Sequence, residues 1–116
     1  MHVITTNTGR QIQIDWNTKA IFLFCKKEGI NLSGFAEKMA SLQFDLETLI
    51  SLIQVSVTVT GQPEPDIDSV CQIIDECGGI FASEGPLADF LNYLLNRTIL
   101  KTTNEETEEK KSQSTN

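Results

Sequence analysis

Two short runs of alternating residues, His2-Val3-Ile4-Thr5-Thr6 and Gln11-Ile12-Gln13-Ile14-Asp15, flank Asn7-Thr8-Gly9-Arg10 at the start of the chain. Asn and Gly tolerate positive φ at little cost, so the intervening residues read as a turn and the two runs as a β-hairpin. Val3 and Thr5 fall on one face of the first arm and Ile4 on the other, while Ile12 and Ile14 share a face of the second. Two such short strands are marginal alone in water. Everything after them reads as helix. The expected fold is therefore mainly α: an N-terminal β-hairpin followed by a compact bundle of about five helices, ending in a disordered C-terminal tail.

The helices follow from apolar spacing and from their end signals. The first spans about Asn17 to Glu28, with Gly29 as its stop; at about 100° per residue, Trp16, Ala20, Leu23 and Phe24 share a face that Ile21 and Cys25 widen. Phe22 falls instead among Thr18, Lys19 and Lys26. It either packs under the hairpin or stands as an exposed aromatic anchor for a partner, and the spacing leaves both readings open. Ser33 is placed to cap a helix over Gly34 to Leu42 with Phe35 and Met39 inward, and Asp45 to cap the next.

Leu46 to Thr60 carries two patterns. Ile53, Val55, Val57 and Val59 alternate with polar residues as a strand would. Glu47, Ser51, Gln54, Thr58 and Gln62, however, step by four, three, four and four, which draws one polar stripe along a helix. The expected element is a central helix, apolar over most of its circumference, whose C-terminal end frays or turns extended. Gly61-Gln62-Pro63-Glu64-Pro65 breaks it. Asp66 caps a helix to Glu76 with Ile67, Val70, Cys71 and Ile74 on one face. Gly85-Pro86 starts the last helix, with Leu87, Phe90, Leu91, Leu94, Leu95 and Thr98 inward. Thr102 to Asn116 has no aliphatic or aromatic side chain and cannot bury enough surface to order itself. Residues 1–101 are thus expected to form a single domain and 102–116 a polar tail.

Charge is distributed unevenly. The net charge is −7, and between Met39 and Asn96 there are nine carboxylates and no Lys, Arg or His. Such a surface repels phosphate backbones and anionic lipid, so neither nucleic acid nor membrane is an expected partner. Its bland reading is a solvated face that keeps the chain soluble; its functional reading is electrostatic pre-alignment with a basic protein. No apolar run approaches the ~20 residues that span a bilayer, and the N-terminus lacks the basic-then-apolar layout of a signal peptide, so a cytoplasmic location is expected. Cys25, Cys71 and Cys77 read as buried free thiols.

The usual chemical constellations are missing from the sequence. His2, at the N-terminus, is the only histidine, so no serine or cysteine has a well-held base. Cys71 and Cys77 lie about 240° apart around one helix and do not converge on a metal. Asp66-Ile67-Asp68 begins like a calcium loop, but Val70 and Cys71 stand where a polar ligand and a glycine are required. Cys77-Gly78-Gly79-Ile80 is a helix stop and not a phosphate cradle. No catalytic residue, metal or cofactor is expected.

The order of elements nevertheless resembles a known family. After the hairpin come Trp16-Asn17-Thr18-Lys19-Ala20-Ile21-Phe22-Leu23-Phe24-Cys25-Lys26-Lys27-Glu28-Gly29, a helix rich in Leu46, Leu49, Ile50, Leu52 and Ile53, and the acidic stretch Asp68-Ser69-Val70-Cys71-Gln72-Ile73-Ile74-Asp75. In this the chain resembles the tail assembly chaperones of long-tailed bacteriophages and prophages over about residues 2 to 100. The resemblance implies a non-enzymatic protein of the bacterial host cytoplasm. Several copies would hold the aggregation-prone tape measure protein in solution and help recruit tail tube subunits. Phe22, Ile73, Phe81 and Leu100 are the candidate client contacts, because periodicity leaves them off the main apolar faces. The alternative is a small structural or adaptor component of a particle or regulatory complex. Self-association is a further expectation, since the hairpin leaves strand edges to satisfy.

Overall fold

The alternating arms pair as their pattern requires. In the computed structural model, which describes residues 2–41, 45–80 and 84–97, β1 (His2–Thr5) and β2 (Gln11–Ile14) run antiparallel with Ile4 opposite Ile12 and His2 opposite Ile14. Ile4, Ile12 and Ile14 are buried on the inner face, whereas Val3 and Thr5 look outward. The Thr6 amide donates to the Arg10 carbonyl at 2.8 Å and the Gly9 amide to the Thr6 carbonyl at 3.0 Å. Gly9 sits at φ 88°, a conformation that a side chain would strain, which is why the turn needs glycine there.

Five helices follow: α1 (Thr18–Glu28), α2 (Leu32–Ser41), α3 (Leu46–Thr58), α4 (Ile67–Glu76) and α5 (Pro86–Arg97). The caps expected for α3 and α4 are made, and Asn17 caps α1 in the same way. Asn17 accepts from the Ala20 amide at 3.0 Å, Asp45 from the Thr48 amide at 2.7 Å and Asp66 from the Ser69 amide at 2.8 Å. Gly29, at φ 68°, ends α1 with its amide on the Cys25 carbonyl. α2 differs from expectation. Its cap is Asn31, whose Oδ1 accepts from the Gly34 amide at 2.8 Å, and the helix therefore starts before Ser33.

α3 is the central rod. From Thr48 to Val57 every residue but Ile50 is buried, and the helix packs on α1, α4 and β2. Its β-branched end stays helical to Thr58 and then tightens, with the Thr60 amide on the Val57 carbonyl and the Gly61 amide on the Thr58 carbonyl. The extended alternative is not adopted. The polar stripe is real, but its middle faces protein and not water. Ser51 and Gln54 are 5% and 6% exposed because Glu28 accepts from the Ser51 hydroxyl at 2.9 Å and the Pro65 carbonyl accepts from Gln54 Nε2 at 3.0 Å.

Around α3 the core closes with Trp16, Phe24 and Phe35, whose ring centroids lie 5.7–6.3 Å apart in pairs. α5 contributes Leu87, Phe90 and Leu94. α4 contributes Val70, Ile73, Ile74 and Cys77, an i, i+3, i+4, i+7 set that defines its inner face. The face expected from Ile67, Val70, Cys71 and Ile74 is thus rotated: Ile67 is out and Ile73 is in. Of the three free cysteines only Cys77 is buried, Cys25 and Cys71 being partly exposed, which corrects the expectation of three buried thiols. Phe81, Leu100 and the polar tail 102–116 lie outside the described residues.

Candidate protein-binding surface

Two polar clusters fix the hairpin to the helices and so set which side chains remain outside. At one end the Glu76 carboxylate, on the last turn of α4, accepts from the Thr8 hydroxyl at 3.0 Å and from Gln72 at 3.1 Å. It also meets Arg10 Nη1 at 3.5 Å. The Asn7 amide donates to the Glu76 carbonyl at 2.9 Å, so one residue's backbone and side chain both grip the turn. The Thr8 hydroxyl first, then Gln72, Arg10 and Thr6, hold the Glu76 carboxyl below its ordinary value against a smaller opposing effect of burial.

At the other end Asp15 Oδ1 accepts from the Trp16 amide at 2.8 Å and from the Tyr93 hydroxyl at 3.1 Å. Burial alone would raise the Asp15 pKa, but these two donors together with nearby Arg97 outweigh it and the net displacement is downward. Tyr93 is pushed up, by burial first and by Asp15 second. His2 stacks on the Tyr93 ring with centroids 4.5 Å apart, and the Arg97 guanidinium lies 5.5 Å from the same centroid. The arrangement is acidic, aromatic and basic in sequence, but each group is used to hold another. It offers no pair of nucleophile and base. Neither cluster was legible in the sequence, because the hairpin groups and their helix partners lie 66 to 91 residues apart.

Outside these clusters the described surface carries large apolar side chains: Val3, Phe22, Leu32, Leu46, Ile67 and Ile80, between 43% and 67% exposed. Of the four residues singled out by periodicity, Phe22 is among them at 62% exposure, so it does not pack under the hairpin. Ile73 is corrected: at 3% exposure it is core, since the inner face of α4 is centred beside it and not beside Ile67. Phe81 and Leu100 cannot be placed among the described residues. Ile67, Leu32 and Leu46 were missed. Each sits in the first turn of its helix, where the apolar period gives little warning that the side chain overhangs the core.

Open grooves also mark the described surface. One, of about 490 Å³, runs between β1 and α5 and includes His2, Thr5, Pro86, Asp89 and Tyr93 in its walls. Another, of about 300 Å³, lies between α1 and α3 and is lined by Leu23, Val55, Lys26, Lys27 and Glu64. Among the described residues no three His, Cys, Asp or Glu side chains are grouped to hold a metal ion. None of the described helices is long and apolar enough to cross a membrane. Comparison with family models, with curated proteins and with solved structures gave no match.

Proposed function

We propose that this chain is a non-enzymatic protein-binding protein, a tail assembly chaperone of a long-tailed phage or prophage. In this reading it works in the host cytoplasm, keeps the tape measure protein soluble and helps bring tail tube subunits to it. The observation that carries the reading is the set of large apolar side chains spread over the hairpin, four helices and the segment after α4, around a core that is already filled. A single exposed leucine is ordinary on any protein. Six such side chains, one of them an aromatic ring in the middle of a helix, give a surface with several separate points of grip.

The acidic composition of α3 to α5 supports the same reading. It keeps an apolar-studded domain in solution, disfavours nucleic acid and steers basic protein segments toward the surface. The element order adds the resemblance described above. Co-expression with a tape measure protein tests the proposal: the client should move from the pellet to the supernatant when this chain is present. A client equally insoluble with and without it would refute the function.

A further inference from the structure

α1 and α4 present outward stripes of opposite charge and identical spacing. On α1, Lys19, Phe22 and Lys26 follow one another at i, i+3 and i+7, and all three are exposed. On α4, Asp68, Cys71 and Asp75 repeat that spacing, with both aspartates exposed, Cys71 partly so, and Ile67 59% exposed beside them. Seven residues advance a helix by about 10.5 Å, so the two lysines and the two aspartates are separated by the same two turns.

The other described cations of the hairpin and helices are occupied. Arg10 meets Glu76 at 3.5 Å, Lys27 meets Glu64 at 3.3 Å and Lys38 meets Glu28 at 3.6 Å. Arg97 donates to the Trp16 carbonyl at 2.7 Å. Lys19, Lys26, Asp68 and Asp75 form no ion pair among the described residues. α1 and α4 both pack on α3 through their inner faces, which directs the two stripes away from the core.

We propose that the α1 stripe of one copy docks on the α4 stripe of a second copy. Each lysine then meets an aspartate, and the Phe22 ring covers Cys71 and Ile67 between the two charged contacts. Equal spacing lets the helices meet in either direction. Charge complementarity selects the occupant: in a chain of net charge −7, the Lys19–Lys26 face is the place where the acidic surface of another copy is attracted and not repelled. Two different surfaces meet, so the contact is heterologous and leaves a free α1 on one end and a free α4 on the other. Such contacts build rings or open filaments instead of closed twofold dimers. Self-docking takes Phe22 and Ile67 out of the exposed apolar set and leaves Val3, Leu32 and Leu46 for a client, so the two can be tested separately.

Sedimentation velocity of the full chain and two charge-reversed variants tests this. At about 50 mM salt the wild type should show a mass that rises with concentration, and at about 500 mM salt it should fall toward the monomer. Lys19→Glu with Lys26→Glu, and separately Asp68→Lys with Asp75→Lys, should each weaken association about tenfold or more, because each variant then faces itself with like charges. An equimolar mixture of the two variants should associate again. Phe22→Ser gives an independent arm and should weaken association while leaving its salt dependence in place. A wild type that stays monomeric at low salt, reversed variants that associate like wild type, or a mixture that fails to associate would overturn the proposal.

Discussion

Arg97 Nε donates to the carbonyl oxygen of Trp16 at 2.7 Å, joining the end of the last helix to the residue where the hairpin gives way to the first. Beside it the Tyr93 hydroxyl reaches Asp15, so α5 is fastened at two adjacent points on the hairpin–helix junction. α5 otherwise meets the rest of the domain mainly through Leu87, Phe90 and Leu94. Arg97→Ala should therefore lower stability by about 1.5–3 kcal/mol, the range for losing a charge-assisted hydrogen bond. Urea melts of the two proteins would read the difference, with the loss of α5 helicity preceding that of the remainder.

A second expectation concerns acid. Glu76 has its folded-state pKa lowered, chiefly by the Thr8 hydroxyl, from an ordinary value of 4.5. A lowered carboxylate pKa adds stability that is present above that ordinary value and is lost as pH falls below it through the folded-state value. Glu76→Gln should thus be less stable than wild type at neutral pH, and the gap should narrow as pH drops below 4.5. Thermal melts at neutral and acid pH measure this directly. A gap that stayed constant across that range would locate the stabilisation elsewhere.

The contrast between Ile73 and Phe22 yields a third. Ile73 is 3% exposed in the core of α4, and truncation to Ala should cost about 2–5 kcal/mol. Phe22 is 62% exposed, and Phe22→Ala should change stability by no more than about 0.5 kcal/mol. Chemical denaturation separates the two without reference to any partner. A large loss at Phe22 would mean that its ring packs on the domain itself.

Thiol reactivity gives a fourth. Burial first, and the neighbouring Glu76 second, push the Cys77 thiol up and so deplete the reactive thiolate, while the side chain is only 2% exposed. Cys25 and Cys71 are partly exposed. An aromatic disulfide reagent at mildly alkaline pH should therefore modify two thiols in the folded protein and the third only as it unfolds. Mass mapping should find Cys77 to be the slow one.

The elements were legible because local physics decides them. Asp45 and Asp66 cap helices because each precedes an apolar period, and Gly29 ends α1 because only a residue without a Cβ takes φ 68° freely. The polar positions of α3 correctly outweighed its β-branched alternation. What they could not reveal is that Ser51 and Gln54 face Glu28 and Pro65, since those partners come from other segments of the chain.

α4 illustrates the remaining limit. Ile67, Val70, Cys71 and Ile74 fit one apolar face, and Val70, Ile73, Ile74 and Cys77 fit another rotated by about 60°. The second is buried because α3 lies against it, and no property of the ten-residue helix alone chooses between them. The apolar period alone places Ile67 in the core and Ile73 at the surface, the reverse of their positions. At Asn31 and Ser33 both residues are good caps, and the helix took the earlier one.

Outward apolar side chains are proposed to grip another polypeptide, and replacing a group of them on a folded domain is the most direct test of that role. Val3→Ser, Leu32→Ser and Leu46→Ser together alter residues 46–67% exposed, none of them in the α1–α4 stripes. The account predicts circular dichroism close to wild type, together with loss of the ability to keep a co-expressed tape measure protein soluble. A triple variant that folds and still solubilises the client as well as wild type would contradict it.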